Sequence, residues 1–181
     1  MREMTADYIK MCAACYFRFA RQYPIVTLEY WHYQDCCVQQ DVLALDSKRR
    51  PVEIEVKVTL SDFKADANKH IWSFRNRGLK WPWKFYYAVP VDLIESVRPL
   101  FRDDCGLIAV RPGFENQVRP ERAVSVVVKA PAHKDYEVVS DAKYGRIIAG
   151  QSAALCTALR KMERKGPQVP LIGHGTAIGA I

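Results

Sequence analysis

Asp41, Glu55 and Lys57 are the residues whose types and spacing could do chemistry together. Two carboxylates on one face can share a hard divalent cation. An ammonium beside them can orient a water or offset charge on a phosphoryl oxygen. Val52, Ile54, Val56 and Val58 alternate with Glu53, Glu55 and Lys57. Period two therefore puts the aliphatic side chains on one face of a strand and the charges on the other. Asp41 opens the partner strand of the same predicted hairpin, within residues 41–57.

Convergence of the two carboxylates requires a particular register. Asp41 and Glu55 share a face only if the positions of opposed residues sum to an even number, so the loop must be odd in length. Ser47 to Arg49, Lys48 to Arg50, or the longer Asp46 to Arg50 all satisfy this, and such connections are common in hairpins. A two-residue turn at Lys48-Arg49 would send Asp41 to the other face. No Asn-Gly or Asp-Gly dipeptide favours that tight turn here. By composition alone, Glu53, Glu55 and Lys57 equally describe a solvated strand face of ordinary ion pairs.

Asp41 followed by Glu55-x-Lys57 resembles the core of the PD-(D/E)xK nuclease superfamily, the restriction-endonuclease-like fold. Residues 58–66, Val-Thr-Leu-Ser-Asp-Phe-Lys-Ala-Asp, and 85–90, Phe-Tyr-Tyr-Ala-Val-Pro, are similar to a bacterial subgroup, the MmcB-like DNA repair proteins. The resemblance spans residues 25–111. Gln40 stands where the superfamily usually has proline, which leaves the aspartate in place. The resemblance implies an α/β fold with a restriction-endonuclease-like mixed β-sheet flanked by helices. It also implies a metal-dependent nuclease that hydrolyses DNA phosphodiester bonds in repair or processing, with Asp41, Glu55 and Lys57 as the catalytic set. The implied cofactor is Mg²⁺ or Mn²⁺, held by Asp41, Glu55, the Val56 carbonyl and Glu29. Glu29 reads equally well as a surface carboxylate at a strand end, and Glu3 is the other acidic candidate. Glu53 is placed to support a ligand. DNA is the implied partner, with a homodimer and further repair proteins left open. The alternative is a non-catalytic DNA-binding or recruitment module on the same fold; an accessory protein of a mobile element is a third reading.

The chain has 181 residues, a net charge of +7 and 49% apolar residues. That is the size of one domain with a substantial core, expected over residues 1–165 with a tail at 166–181. The positive charge suits a polyanion. No apolar run of about eighteen residues could span a bilayer, and the first residues lack the apolar segment of a signal peptide. A cytoplasmic protein with no membrane partner is expected, its six cysteines reduced. Cys12 and Cys15 fall on a helical face, and Cys36-Cys37 are adjacent, so buried thiols fit better than zinc. His32, His70, His133 and His174 pair with no nucleophile, and no Gly-rich phosphate loop is present.

The elements that must position the hairpin follow from periodicity. Residues 5–22 form an amphipathic helix behind a Thr5 cap, with Tyr8, Ile9, Cys12, Cys15, Tyr16 and Phe19 as its apolar stripe and Lys10, Arg18 and Arg21 off it. Ile25 to Trp31 is a strand. Ser61 is expected to cap a helix carrying Lys64, Lys69, His70 and Arg75, with Phe63, Ala67, Ile71 and Phe74 inward. Residues 72–84 mix tryptophans with cations, a composition suited to stacking bases and meeting phosphates. Lys64, Lys69, Arg75, Arg77 and Lys80 are the nucleic-acid contact candidates, while Trp72 and Trp83 suit the core. A strand at 85–89, a short helix from Asp92 to Phe101 and a strand at 107–110 make a parallel crossover. A last strand at 123–129 precedes a long helix from Ser140 or Asp141 to Lys165, with Tyr144, Ile148, Leu155, Leu159 and Met162 as its stripe.

Overall fold

The computed structural model describes residues 4–31, 39–67, 80–113 and 119–164. One six-stranded sheet runs in the order β1 (Ile25–Trp31), β2 (Gln39–Leu45), β3 (Pro51–Val56), β4 (Lys84–Pro90), β5 (Gly106–Val110) and β6 (Val124–Val128). β1, β2 and β3 pair antiparallel, β3, β4 and β5 pair parallel, and β6 returns antiparallel on β5. The mixed α/β sheet flanked by helices is thus the expected architecture. Parallel pairing buries both faces of the central strands, and β5 is buried at every position.

Alternation divides the core into two layers. Val42 and Ala44 of β2, Val52, Ile54 and Val56 of β3, and Tyr86 and Ala88 of β4 face α1 (Ala6–Cys15) through Tyr8, Ile9, Cys12 and Ala13. On the opposite face Phe85, Tyr87 and Val89 pack with Phe63 of α2 (Leu60–Ala67) and with Ile94 and Val97 of α3 (Ile94–Val97). Ile25, Leu43 and Leu45 pack there with Val139 and with Ile147 of α4 (Asp141–Arg164). No helix among the described residues is long and apolar enough to cross a membrane.

The helices depart from their sequence patterns at three points. Thr5 caps α1 as expected, its hydroxyl accepting from the Tyr8 N–H at 3.2 Å. Beyond Cys15, however, the helix widens into a π-turn over Tyr16–Ala20. An α-helix would carry Phe19 back to the Cys12 face seven residues on, but the wider i→i+5 turn lags behind. Phe17 is buried instead and Phe19 is 65% exposed. At α2 the cap is Thr59, whose Oγ1 accepts from the Asp62 N–H at 3.1 Å, two residues before the expected Ser61. In α4, Tyr144 and Ile147 pack on the sheet, while Ile148 and Leu155 are exposed. The sheet-facing side runs through Tyr144, Ile147 and Gln151, whose Nε2 donates to the Val26 carbonyl, so Ile147 and not the expected Ile148 faces the sheet. Leu159 and Met162 have side chains outside the described residues, as do Glu3, His32, Cys36, Cys37, His70, Ile71, Trp72, Phe74 and the tail.

Candidate active site

The hairpin loop has the odd length that convergence requires. Leu45 opposes Pro51, the Asp46 N–H reaches the Arg50 carbonyl at 3.3 Å, and Ser47, Lys48 and Arg49 form the connection. Asp46 sets this turn: its Oδ1 accepts from the Lys48 and Arg50 N–H groups, each at 2.9 Å, and its Oδ2 from Arg50 Nε at 2.7 Å. Arg49 takes the left-handed conformation that ends a three-residue hairpin loop, with φ of 59°. Its side chain is tied to Asp141 at the start of α4.

This register carries through to the carboxylates. Ladder pairing between β2 and β3 runs out at Val42 and Ile54, so Asp41 and Glu55 are the next opposed positions, where the strands part. Into that opening Asp41 turns its Oδ2 toward the Val56 N–H, which donates at 2.8 Å. In an extended strand the N–H and C=O of one residue point to the same side, so the Val56 carbonyl also faces the Asp41 side. On the other side Lys57 N–H donates to the Ala88 carbonyl at 3.0 Å, holding the end of β3 to β4.

Glu55 and Lys57 lie on the α2 face, as the alternation predicts. Lys57 Nζ is 2.7 Å from Glu55 Oε1 and 2.9 Å from Asp66 Oδ1. Asp66, buried on α2, accepts at Oδ2 from the Tyr87 hydroxyl at 2.8 Å. Glu55 and Tyr87 are register partners on β3 and β4. A chain of polar groups therefore runs Glu55, Lys57, Asp66, Tyr87 across two strands and a helix. Glu53, one alternation earlier on β3, is also buried.

The Lys10 ammonium approaches from α1 and lies 3.0 Å from both Glu29 Oε1 and Asp41 Oδ1. Glu29 opposes Asp41 across β1 and β2 and breaks its strand with φ of 50°. Its side chain is half exposed and its carbonyl accepts from Gln39 Nε2. Glu29 thus meets Asp41 through Lys10. Gln40, in the place before the aspartate, is buried, and its Oε1 has no hydrogen-bond partner among the described residues.

Electrostatics distinguish the groups. Burial, then the Asp41 charge, push the Glu55 carboxyl up to about 7, against the opposing pull of Lys57. Glu55 is therefore poised between its charged and neutral forms near neutrality. For Lys57, burial works against the charge, but Glu55 and Asp66 outweigh it and raise the ammonium above its ordinary value. It holds its proton, which suits a cationic donor and not a base. Tyr87 is raised by burial and by Asp66, so its phenol stays neutral.

Among the described residues no group of three or more His, Cys, Asp or Glu side chains is placed to hold a metal. Asp41 and Glu55 are a pair, with Glu29 held apart by Lys10. A pair fits Mg²⁺ or Mn²⁺ nonetheless, because such ions use one or two carboxylates and keep several waters. Repulsion from Asp41, which adds to burial in raising Glu55, is what a shared cation would relieve.

The remaining sequence candidates are less gathered. Lys64 is exposed on α2. Lys80 pairs with Asp135 at 3.1 Å, and the Trp83 ring lies under the Arg50 guanidinium at 3.5 Å. Lys69, Arg75 and Arg77 lie outside the described residues. Cys12 and Cys15 lie on α1 outside any disulfide, Cys12 fully buried. Sequence reasoning missed Lys10, Asp66 and Tyr87. Lys10 stood off the apolar stripe like any solvated lysine. The one available signal for the others was the 58–66 and 85–90 stretches, which contain Asp66 and Tyr87 without assigning them a role.

No protein-family model and no curated protein matches the sequence. A solved structure is similar: a protein of unknown function from Silicibacter pomeroyi, 20% identical, with a TM-score of 0.60, covering 94% of this chain and 99% of that one. At this identity the likeness is one of fold.

Proposed function

We propose that this protein is a divalent-metal-dependent nuclease of the PD-(D/E)xK, restriction-endonuclease-like kind, hydrolysing DNA phosphodiester bonds in the cytoplasm during repair or processing. The observation that carries the reading is the opposition of Asp41 and Glu55 at the point where β2 and β3 part, with Lys57 beside Glu55 on the same face. Asp41, Glu55 and the Val56 carbonyl would hold Mg²⁺ or Mn²⁺, and Glu29 would join only by leaving Lys10. Such an ion supplies Lewis acidity and a hydroxide at neutral pH. Asp41 is oriented for its part by the Val56 N–H. Lys57 keeps its proton and donates from Nζ toward the phosphate or an attacking water, offsetting charge in the transition state. Asp66 and Tyr87 fix where that ammonium sits. Lys64 on α2 and Lys80, ahead of β4, would meet the DNA backbone together with Lys69, Arg75 and Arg77.

One observation favours a second reading. Lys10 and Lys57 already neutralise Asp41 and Glu55, as they would in a DNA-binding or recruitment module that cuts nothing. Incubation of the protein with single-stranded, branched and nicked DNA in Mg²⁺ or Mn²⁺ separates the two. Cutting that disappears in Lys57→Ala while binding persists supports the nuclease. Salt-dependent binding without cutting, indifferent to Glu55→Ala, supports the module.

A further inference from the structure

A cavity of about 240 Å³ lies on the α1 face of the sheet, at the first residues of β4. Glu55 lies on the other face, beside the later residue Tyr87. Arg21, Lys84 and Lys129 contribute three cations to its wall, and Tyr16, Phe17 and Tyr86 supply aromatic rings. No acidic side chain lines it among the described residues. Asp46, a carboxylate whose charge acts on Lys84, is taken up by Arg50 and by two backbone N–H groups. Burial, then the nearby charges of Arg21, Arg50 and Lys129, lower the Lys84 ammonium below its ordinary value.

The cavity is also built with unusual backbone. Tyr16 and Phe17 enter it from the π-turn, a feature concentrated at functional sites. Gln22, just after Arg21, takes a left-handed φ of 56°, which costs on the order of 1 kcal/mol or more for a residue other than glycine. The rings brace one another: Phe17 lies 5.4 Å from Tyr16, 5.4 Å from Tyr23 and 5.9 Å from Tyr86, centroid to centroid. The Tyr86 ring packs against Gly106, where an added Cβ would lie 2.3 Å from it.

We propose that this cavity binds a nucleoside monophosphate, its phosphate against Arg21, Lys84 and Lys129 and its base against the tyrosine rings. A phosphomonoester carries between one and two negative charges at neutral pH and offers three acceptor oxygens, matching three convergent cations. A base stacked on a tyrosine adds affinity that inorganic phosphate cannot obtain. The same chemistry is presented by a free nucleotide and by the phosphorylated end of a DNA strand. The site is separate from the carboxylate pair and needs no bound metal.

Calorimetric titration of the full chain in EDTA tests this with adenosine 5′-monophosphate, adenosine, inorganic phosphate, and one deoxyoligonucleotide with and without a 5′-phosphate. Adenosine 5′-monophosphate should bind about tenfold or more tighter than either adenosine or phosphate. Lys84→Met with Lys129→Met should remove that binding while circular dichroism stays unchanged. Tyr16→Leu should narrow the preference over phosphate and leave phosphate itself unaffected. A 5′-phosphate that tightens oligonucleotide binding identifies a strand end as the source; nucleotide binding without that dependence identifies the free nucleotide. Equal affinity for nucleotide and phosphate, or nucleotide binding that survives both lysine substitutions, overturns the proposal. Loss of DNA cutting in Glu55→Gln with nucleotide binding intact keeps the two sites distinct.

Discussion

The Lys57 ammonium lies 2.9 Å from the Asp66 carboxylate, joining the end of β3 to α2 across an otherwise buried interface. Both side chains are less than a tenth exposed. Removing one partner of a buried pair leaves the other charge uncompensated, so Asp66→Ala should destabilise the protein by about 3 kcal/mol in urea unfolding. Asp66→Asn keeps an acceptor for the Tyr87 hydroxyl and should cost less. A loss below about 0.5 kcal/mol in the alanine variant would place the pair among weak surface interactions.

Stability should depend on pH through Glu55. Its folded pKa, about 7, lies above the ordinary value of 4.5, so the folded protein binds more protons than the unfolded chain between those values. The associated stability is complete below pH 4.5 and is lost as pH rises through 7. On the order of 2 kcal/mol should disappear across that window, and Glu55→Gln should abolish this component. Urea unfolding of both proteins from pH 5 to 8 reads it directly. An identical pH slope in the two would contradict it.

How much of this was visible in the sequence depends on range. The hairpin register, the faces of Val52, Ile54 and Val56, and the opposition of Asp41 to Glu55 follow from local alternation and loop parity, and the structure has them. The partners of the charges do not follow in this way. Lys10 reaches Asp41 from thirty-one positions earlier, and Asp66 meets Lys57 only because α2 docks on β4, and tertiary docking has no local signature. Phe19 was misplaced by a π-turn that breaks the helical period. On α4 the sheet-facing side runs through Tyr144, Ile147 and Gln151, which donates to the Val26 carbonyl, so Ile148 points off that side, and Leu155 further along is exposed.

Lys10 should compete with a cation for Asp41. It sits 3.0 Å from that carboxylate, so Lys10→Met removes a positive charge from the proposed metal site. Mn²⁺ should then bind several-fold tighter, following the Coulomb interaction of near charges at a partly exposed site. Electron paramagnetic resonance of free Mn²⁺ measures this without reference to catalysis. Weaker binding in the variant would show that Lys10 orders Asp41 instead of opposing the ion.

Gly106 should not tolerate a side chain. An added Cβ would meet the Tyr86 ring at 2.3 Å and the Ala130 backbone nitrogen at 2.7 Å. The backbone contact cannot be relieved by a rotamer change. Gly106→Ala is expected to cost about 3 kcal/mol and to lower the thermal midpoint by more than 5 °C, on the scale of overpacked cores in domains of this size. A midpoint within a degree of wild type would mean that β5 and Ala130 part easily.

The nuclease reading stands on Asp41 and Glu55 holding one cation together. Anomalous scattering from a crystal grown in Mn²⁺ tests that most directly. A single strong peak within about 2.3 Å of an oxygen from each carboxylate is the predicted result, lost in Glu55→Gln. Wild-type crystals with no peak at the β2–β3 opening at millimolar Mn²⁺, and Lys10 and Lys57 still on their carboxylates, would contradict the account.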